Sequence, residues 1–551
     1  MSKIKLLVGV FLLFLLLYTR FINLSWGLPY PFHPDERNMA SALQQLQCGI
    51  LNLRECFNPH FFAYGQFPLY LGYILIQLIH LVTGKLGSQI SFEEAMMTLR
   101  FISATASILT VWFMLRIYQA IRKNTQNQKL LIPLLFIFSP ALIQFAHFGT
   151  TESLLMLFYT GLIFVSICYA KERCSQTYFV LVSSFLVGLA VATKVSSLIF
   201  LGVPLVSLLF RISKQNVAKN VSVGIGIVVL ALFWGIALSP HNLISFNEFM
   251  NSIRYESNVA TGAIRVFYTR QFEGTIPIFF QFTKIFPSTL GIPILLLFLF
   301  GFFILPYKRE YNLLRLSFLI YFLPTAFLYA KWTRFMAPIM PLMVVIAGVT
   351  LMRLYDWYLN TAKNKEIIIP HSLFIIILLV CCIPGLAFLS IYRSPDVRFV
   401  ASDWIYQNIP TNSVILSETA NVVDIPIRNP DHSLLSEINH YDMISFNFYD
   451  LDQNESLQQQ LHLDIARADY IFIPSRRIFT NHISKKTYPV LNTYYQKLFS
   501  GELGFLKIKE FSSYPRIVFF GKTLVEFPDE QVEETWTVFD HPVIRIFQRT
   551  L

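Results

Sequence analysis

The chain opens Lys3-Ile-Lys-Leu-Leu-Val-Gly-Val-Phe-Leu-Leu-Phe-Leu-Leu-Leu-Tyr-Thr-Arg-Phe21 and soon afterwards reads His33-Pro-Asp-Glu-Arg37. The first stretch is apolar from Leu6 to Phe21 behind two lysines, which is what a helix entering a bilayer requires. It lacks a small-residue cleavage site, so it reads as a retained first helix rather than a signal peptide. The second stretch sets two adjacent carboxylates beside Pro and Arg, close to where that helix leaves the membrane.

Working outward, further apolar runs follow at Leu99–Tyr118, Leu131–Phe148, Ser153–Ala170, Tyr178–Thr193, Val195–Phe210, Val221–Ser239, Pro287–Pro306, Leu313–Ala330, Phe335–Leu354 and Ile367–Ile391. Spans need about 20 apolar residues each, so the pattern predicts about eleven transmembrane helices. A further run, Phe67–Val82, is ambiguous, and charge parity decides it. If it does not cross, the N-terminus faces the cytoplasm. So do the linkers with Arg122, Lys123 and Lys129; Lys171 and Arg173; Arg211, Lys214 and Lys219; Lys308 and Arg309; and Lys363 and Lys365. That is the positive-inside arrangement. Phe67–Val82 is therefore expected to be a juxtamembrane or half-inserted helix on the outer face, with Pro68 and Gly72 making it irregular.

Composition agrees. Charged residues are 14% of 551, hydrophobic residues 54% and aromatics 16%. A soluble globular chain carries about 25% charged residues. A cytosolic enzyme, a disordered chain and a fibrous protein are excluded. The net charge of +11 is uneven: residues 392–551 hold 15 Lys+Arg and 20 Asp+Glu, so the excess lies in the apolar part. There it marks orientation, not nucleic-acid binding. The expected fold is mainly α: a polytopic membrane domain over 1–391 with outer segments 23–98 and 240–286, then an extracytoplasmic α/β domain over 392–551. In that tail a helical run, Arg398–Asn408, precedes β-like runs at Ser413–Leu416, Tyr470–Ile473, Ile517–Phe520 and Val543–Phe547. Cys48 and Cys56 share one outer loop, where they could pair or stay free.

Several ionisable groups fall on the outer side of this topology. Asp35 and Glu36 lie in the first loop, His147 and Glu152 flank one turn, Lys194 occupies another, and Lys331 and Arg334 a third. Ionisable groups in or beside spans cost about 2.5–3.5 kcal/mol at the membrane centre, so they mark functional sites by default. The bland alternative is a solvated loop plus lysines that snorkel to the interface. Acids facing bases from separate turns suit an anionic headgroup: Lys and Arg hold a phosphate, a carboxylate deprotonates an attacking hydroxyl, and a lipid tail lies among apolar helices.

Asp35-Glu36 after the first span resembles the acidic pair of polyprenyl-phosphate-sugar-dependent glycosyltransferases with the GT-C fold, such as the protein O-mannosyltransferases of glycosyltransferase family 39 and the lipid A aminoarabinose transferases. Asn58-Pro-His-Phe-Phe-Ala-Tyr-Gly-Gln-Phe-Pro-Leu-Tyr70, Arg100, Ala146-His-Phe-Gly-Thr-Thr-Glu152, Gly188-Leu-Ala-Val-Ala-Thr-Lys194 and Lys331-Trp-Thr-Arg-Phe-Met-Ala-Pro-Ile-Met-Pro341 resemble further segments of that group. The resemblance implies an inverting transferase with Asp35 as general base, supported by Glu36 and Glu152. Lys194, Arg334 and Lys331 would bind donor phosphate, and His33, Arg37, Tyr64, Gln66 and His147 would contact substrate. It also implies a bacterial inner-membrane location and lipid-monophosphate donors used without an essential metal. Glu152 stands where the group usually has Asp, and Gln66 where many members have a phosphate-binding Lys. The acceptor stays open between a protein hydroxyl, a glycolipid and an envelope polysaccharide. Two other classes compete: a lipid-linked-sugar transporter, against which the lack of a sequence repeat speaks, and a non-catalytic anchor for the tail.

Overall fold

The computed structural model of the chain describes residues 3–47, 55–85, 87–122, 131–211, 217–361, 368–418, 423–430, 436 and 440–550. Cys48, Lys123, Lys129, Lys214, Lys363, Lys365 and Ile367, all invoked above, lie outside these. The chain divides into two compact units. One comprises residues 1–24, 35–258 and 277–389; the other comprises 25–34, 259–276 and 390–551.

The first unit is helical. Among the described residues, Phe92–Ile121, Glu152–Ala170, Gln176–Thr193, Val217–Ala237, Thr333–Asn360 and His371–Arg393 are long and apolar enough to cross a membrane. A seventh crossing is Gln281–Leu290 with Ile292–Ile304, if this pair, bent by 116°, counts as one. The protein is an integral membrane protein. Other runs expected to cross are broken or carry charges. Leu131–Phe148 is broken into Pro133–Ile137 and Pro140–Gln144, where Pro140 cannot continue the hydrogen-bond ladder. Val195–Leu201 is a 3-10 stretch running into Gly202–Leu209. Arg309–Ala326 carries Arg309, Glu310 and Arg315, with Pro324 inside the helix.

Phe67–Thr83 is a helix, as expected, and a regular one despite Pro68 and Gly72. Pro68 sits in its first turn, where a missing N–H is harmless. Its 17 residues reach about 25 Å, short of the roughly 30 Å hydrocarbon core. The first helix, Lys3–Phe21, ends on fully buried Arg20. That guanidinium donates to Ser107 Oγ at 2.9 Å and to the carbonyls of Ile137 at 2.9 Å and Phe136 at 3.2 Å.

The second unit is built on a sheet of five strands: β1 (Val414–Glu418), β2 (Asp442–Phe446), β3 (Tyr470–Ile473), β4 (Phe505–Phe511) and, after a separate hairpin of β5 (Arg516–Phe519) and β6 (Lys522–Glu526), β7 (Ile544–Arg549). The order is β2-β1-β3-β7-β4. β1 runs parallel to β2 and β3, while β7 is antiparallel to β3 and β4. Period-two alternation divides the core. Ile415, Tyr470, Phe472, Ile544 and Ile546 face helix Val397–Asn408 through Val397, Ala401 and Ile405. Leu416, Ile471, Ile473 and Phe547 face Leu461 of helix Glu455–Arg467 and Leu491, Tyr495 and Leu498 of helix Pro489–Ser500. Both faces are thus covered by helices, as a partly parallel sheet needs.

Near β7, His541 is fully buried between two carboxylates: Nδ1 lies 2.5 Å from Asp540 Oδ1 and Nε2 lies 3.1 Å from Asp529 Oδ2. Burial alone would lower the imidazole's pKa, but Asp540 and Asp529 raise it to about 10. A pKa raised on folding adds stability that is complete below the unfolded value, about 6.5, and is lost as pH climbs through the folded value. The melting temperature is therefore expected to fall between pH 7 and pH 10, and His541→Gln, starting lower, to show a flatter profile over that range by scanning fluorimetry.

Candidate active site

Glu36 and Asp35 are neighbours in the first turn of helix Pro34–Gln44, yet they point to different environments. Glu36 is completely buried and forms a bidentate pair with equally buried Arg100: Nε to Oε1 at 2.6 Å and Nη2 to Oε2 at 2.8 Å. Arg100 also donates to the Leu24 carbonyl at 2.6 Å, and the Gly149 N–H donates to Glu36 Oε1 at 2.8 Å. Gly149 has to be glycine. A Cβ there would stand 2.8 Å from Glu36 Oε1 and 2.8 Å from Leu99 Cβ. Breaking such a buried pair strands a charge at a cost of about 3–5 kcal/mol. Glu36 is thus the peg that fixes the helix carrying Asp35.

Asp35 is about a fifth exposed and forms an ion pair with Arg334 Nη1. Arg334 lies in the short helix Thr333–Met336. Its guanidinium sits 4.8 Å over the Trp332 ring and donates to Tyr64 OH at 3.3 Å. Lys194 comes next, its Nζ 5.3 Å from the Tyr64 ring and 5.1 Å from the Phe335 ring. Lys194 is extended (φ −157°) where helix Gln176–Thr193 gives way to the 3-10 stretch. The loop holding Tyr64 reaches this turn by backbone contact, Gly65 N to Thr193 O at 2.9 Å. A Cβ on Gly65 would meet Ala192 O at 1.9 Å, so only glycine permits the approach. Four elements remote in sequence thereby bring one carboxylate, two cations and aromatic rings together.

The other expected residues lie around this group. Glu152 is buried in the first turn of helix Glu152–Ala170, where the helix dipole favours a carboxylate. It accepts from Thr151 Oγ1 at 3.4 Å. Lys331 is buried, donates to the Tyr329 carbonyl at 3.0 Å, and has its pKa lowered by that burial. His147 places its two ring nitrogens 2.8 Å from the carbonyls of Ile143 and Ile22. Gln66 is fully buried. Its Oε1 accepts from His241 N at 3.1 Å and Tyr70 OH at 3.2 Å, and its Nε2 donates to Asn242 at 3.1 Å. Those bonds fix the loop that presents Tyr64. Arg37 is exposed. His33 belongs to the second unit, its ring 4.3 Å from that of Phe539. Gly149 and Gly65 were not singled out by the sequence, although each sits inside a motif that was.

The membrane-spanning helices together with the match of a family model make the chain a membrane glycosyltransferase of the GT-C type. The chain belongs to the Alg9-like mannosyltransferase family, whose profile matches residues 67–434. The matched stretch includes Arg100, Gly149, Glu152, Lys194 and Arg334 and begins after Asp35. Among solved structures, the chain is similar to the oligosaccharyltransferase of Archaeoglobus fulgidus in the apo form (11% identity, TM-score 0.51, covering 90% of this chain and 73% of that one). It is similar to the AglB oligosaccharyltransferase of Archaeoglobus fulgidus in complex with an inhibitory peptide and a dolichol-phosphate (12% identity, TM-score 0.50, 90% and 72%). It is also similar to ArnT from Cupriavidus metallidurans bound to undecaprenyl phosphate (12% identity, TM-score 0.46, 98% and 97%). No curated protein matches the sequence.

The two neighbouring acids are expected to respond oppositely to amide substitution. Glu36→Gln leaves Arg100 buried without its counter-charge and should lower unfolding stability by about 3–5 kcal/mol. Asp35→Asn removes a part-exposed pair and should cost no more than about 1 kcal/mol. Denaturation in detergent, followed by helical circular dichroism, measures both.

Proposed function

We propose that the protein transfers a sugar from a polyprenyl-phosphate donor to an acceptor hydroxyl on the outer face of a bacterial inner membrane, with the N-terminus cytoplasmic and the tail extracytoplasmic. The observation that carries this reading is the linked set Asp35–Arg334–Tyr64–Lys194 at one end of apolar helices. Lys194 and Arg334 would take the donor phosphate. The Asp35 carboxylate would accept the acceptor's hydroxyl proton as its oxygen forms a bond to the anomeric carbon. The bond from that carbon to the phosphate oxygen breaks, and the charge left on the phosphate stays with the two cations. Attack from the face opposite the phosphate inverts the anomeric centre. Arg334 serves both ends: donor phosphate would draw it off Asp35 and free the carboxylate for the acceptor.

The positive charge needed by the leaving group is supplied by side chains, so the reaction is proposed to run without a metal. The acceptor is a protein, a glycolipid or a polysaccharide bearing a free hydroxyl. The AglB complex named above contains a lipid phosphate and a peptide, which is consistent with both substrate classes. Purified protein assayed with a panel of synthetic polyprenyl-phosphate sugars tests the reading. One donor should be consumed with inversion, and chelation should leave the rate unchanged. Asp35→Asn should keep the fold and donor binding while losing nearly all transfer. Wild-type rates in that variant would remove Asp35 from its role.

A further inference from the structure

A second cationic site lies at the far ends of the helices that carry the first. Helix Glu152–Ala170 begins at Glu152 and helix Gln176–Thr193 ends beside Lys194. At 1.5 Å per residue their other ends lie about 27 Å away, close to the thickness of a bilayer core. Between those ends and the last turns of helix Phe92–Ile121 is a cavity of about 480 Å³ lined by Arg116, Cys168, Arg173, Cys174, Ser175 and Tyr178. Its floor is apolar, formed by Phe164 and Val165.

The cations here are not used up by the fold. Arg116 is exposed and lies beside two aromatic rings, 5.8 Å from that of Trp112 and 5.8 Å from that of Phe164. Arg173 is exposed and donates one bond, to the Ala120 carbonyl at 3.3 Å. The adjacent acid, Glu172, is turned to Arg211 at 3.9 Å. Ser175 caps helix Gln176–Thr193, accepting from Tyr178 N at 3.2 Å, so the positive end of that helix opens at the cavity rim. Trp112, Tyr178, Leu181 and Phe185 continue outward as an exposed apolar flank. Two guanidinium forks suit a phosphate oxygen set, and exposed Trp and Tyr beside them match the headgroup level of a membrane.

We infer that this cavity binds the phosphate of an anionic phospholipid headgroup on the membrane face opposite the candidate active site, with the acyl chains along the Trp112–Phe185 flank. The inference does not depend on the proposed transferase chemistry. Cys174, partly exposed in the cavity wall, is a built-in reporter. The full chain is placed in nanodiscs of phosphatidylcholine, of phosphatidylcholine with phosphatidylglycerol, or of phosphatidylcholine with added inorganic phosphate. Maleimide labelling of Cys174 is then timed by peptide mass spectrometry.

Phosphatidylglycerol should slow labelling about tenfold, the scale of one charge-assisted contact. The slowing should vanish in Arg116→Gln/Arg173→Gln and persist in Arg309→Gln, an exposed arginine elsewhere in the same unit. Both arginines of the double variant are exposed, and an unchanged melting temperature verifies its fold. Slowing by phosphatidylglycerol alone assigns the site to a lipid headgroup. Slowing by inorganic phosphate alone overturns the lipid assignment. Equal labelling in all three discs, protection that survives the double variant, or protection lost in Arg309→Gln overturns the inference.

Discussion

A fully buried charge pair, Glu36 with Arg100, governs the candidate site. Two ions removed from water are tolerable only when every lone pair and N–H finds a partner. Here the Leu24 carbonyl and the Gly149 amide add bonds to the pair. The pair therefore demands four segments at once: the end of the first helix, the helix after it, the long helix from Phe92, and the turn before Glu152. Asp35 inherits its position from that demand. Its neighbour cannot move without exposing Arg100, so a residue at the very start of a helix is held as firmly as one in its middle.

The reach of sequence reasoning follows from which forces are local. Apolar length is local, and it gave the helical membrane class, while the change of composition after residue 391 gave the sheet-bearing tail. Individual crossings were harder. Pro140 and the bend before Ile292 break runs that hydropathy alone reads as continuous. In the tail, β3 and helix Val397–Asn408 were legible because their apolar residues recur at strand and helix periods. β4 and β6 were not, since Phe505–Phe511 and Lys522–Glu526 are mostly exposed and carry charges at many positions.

Within the site, residue types were legible but their division of labour was not. Adjacent carboxylates look alike in a sequence; only the fold sends Glu36 inward to Arg100 and Asp35 outward to Arg334. Gln66 and His147 are polar and sit in the right motifs, yet their hydrogen bonds are spent on backbone and loop packing. The glycines matter for the opposite reason. Gly149 and Gly65 contribute the absence of a side chain where two backbones or a backbone and a carboxylate must touch, a property that shows only when the partner is known.

The ion pair between Asp35 and Arg334 has a consequence for entry. With the pair closed, the site is partly self-neutralised and attracts anions more weakly than two open cations would. Any ligand that claims Arg334 must first undo that pair and then offset the loss. A water-soluble sugar phosphate brings only its charge. A lipid-anchored one is already concentrated in the plane of the membrane, which raises its effective concentration at the helix ends. If these residues take the donor as proposed, the closed pair would favour ligands held at the membrane over those arriving from solution.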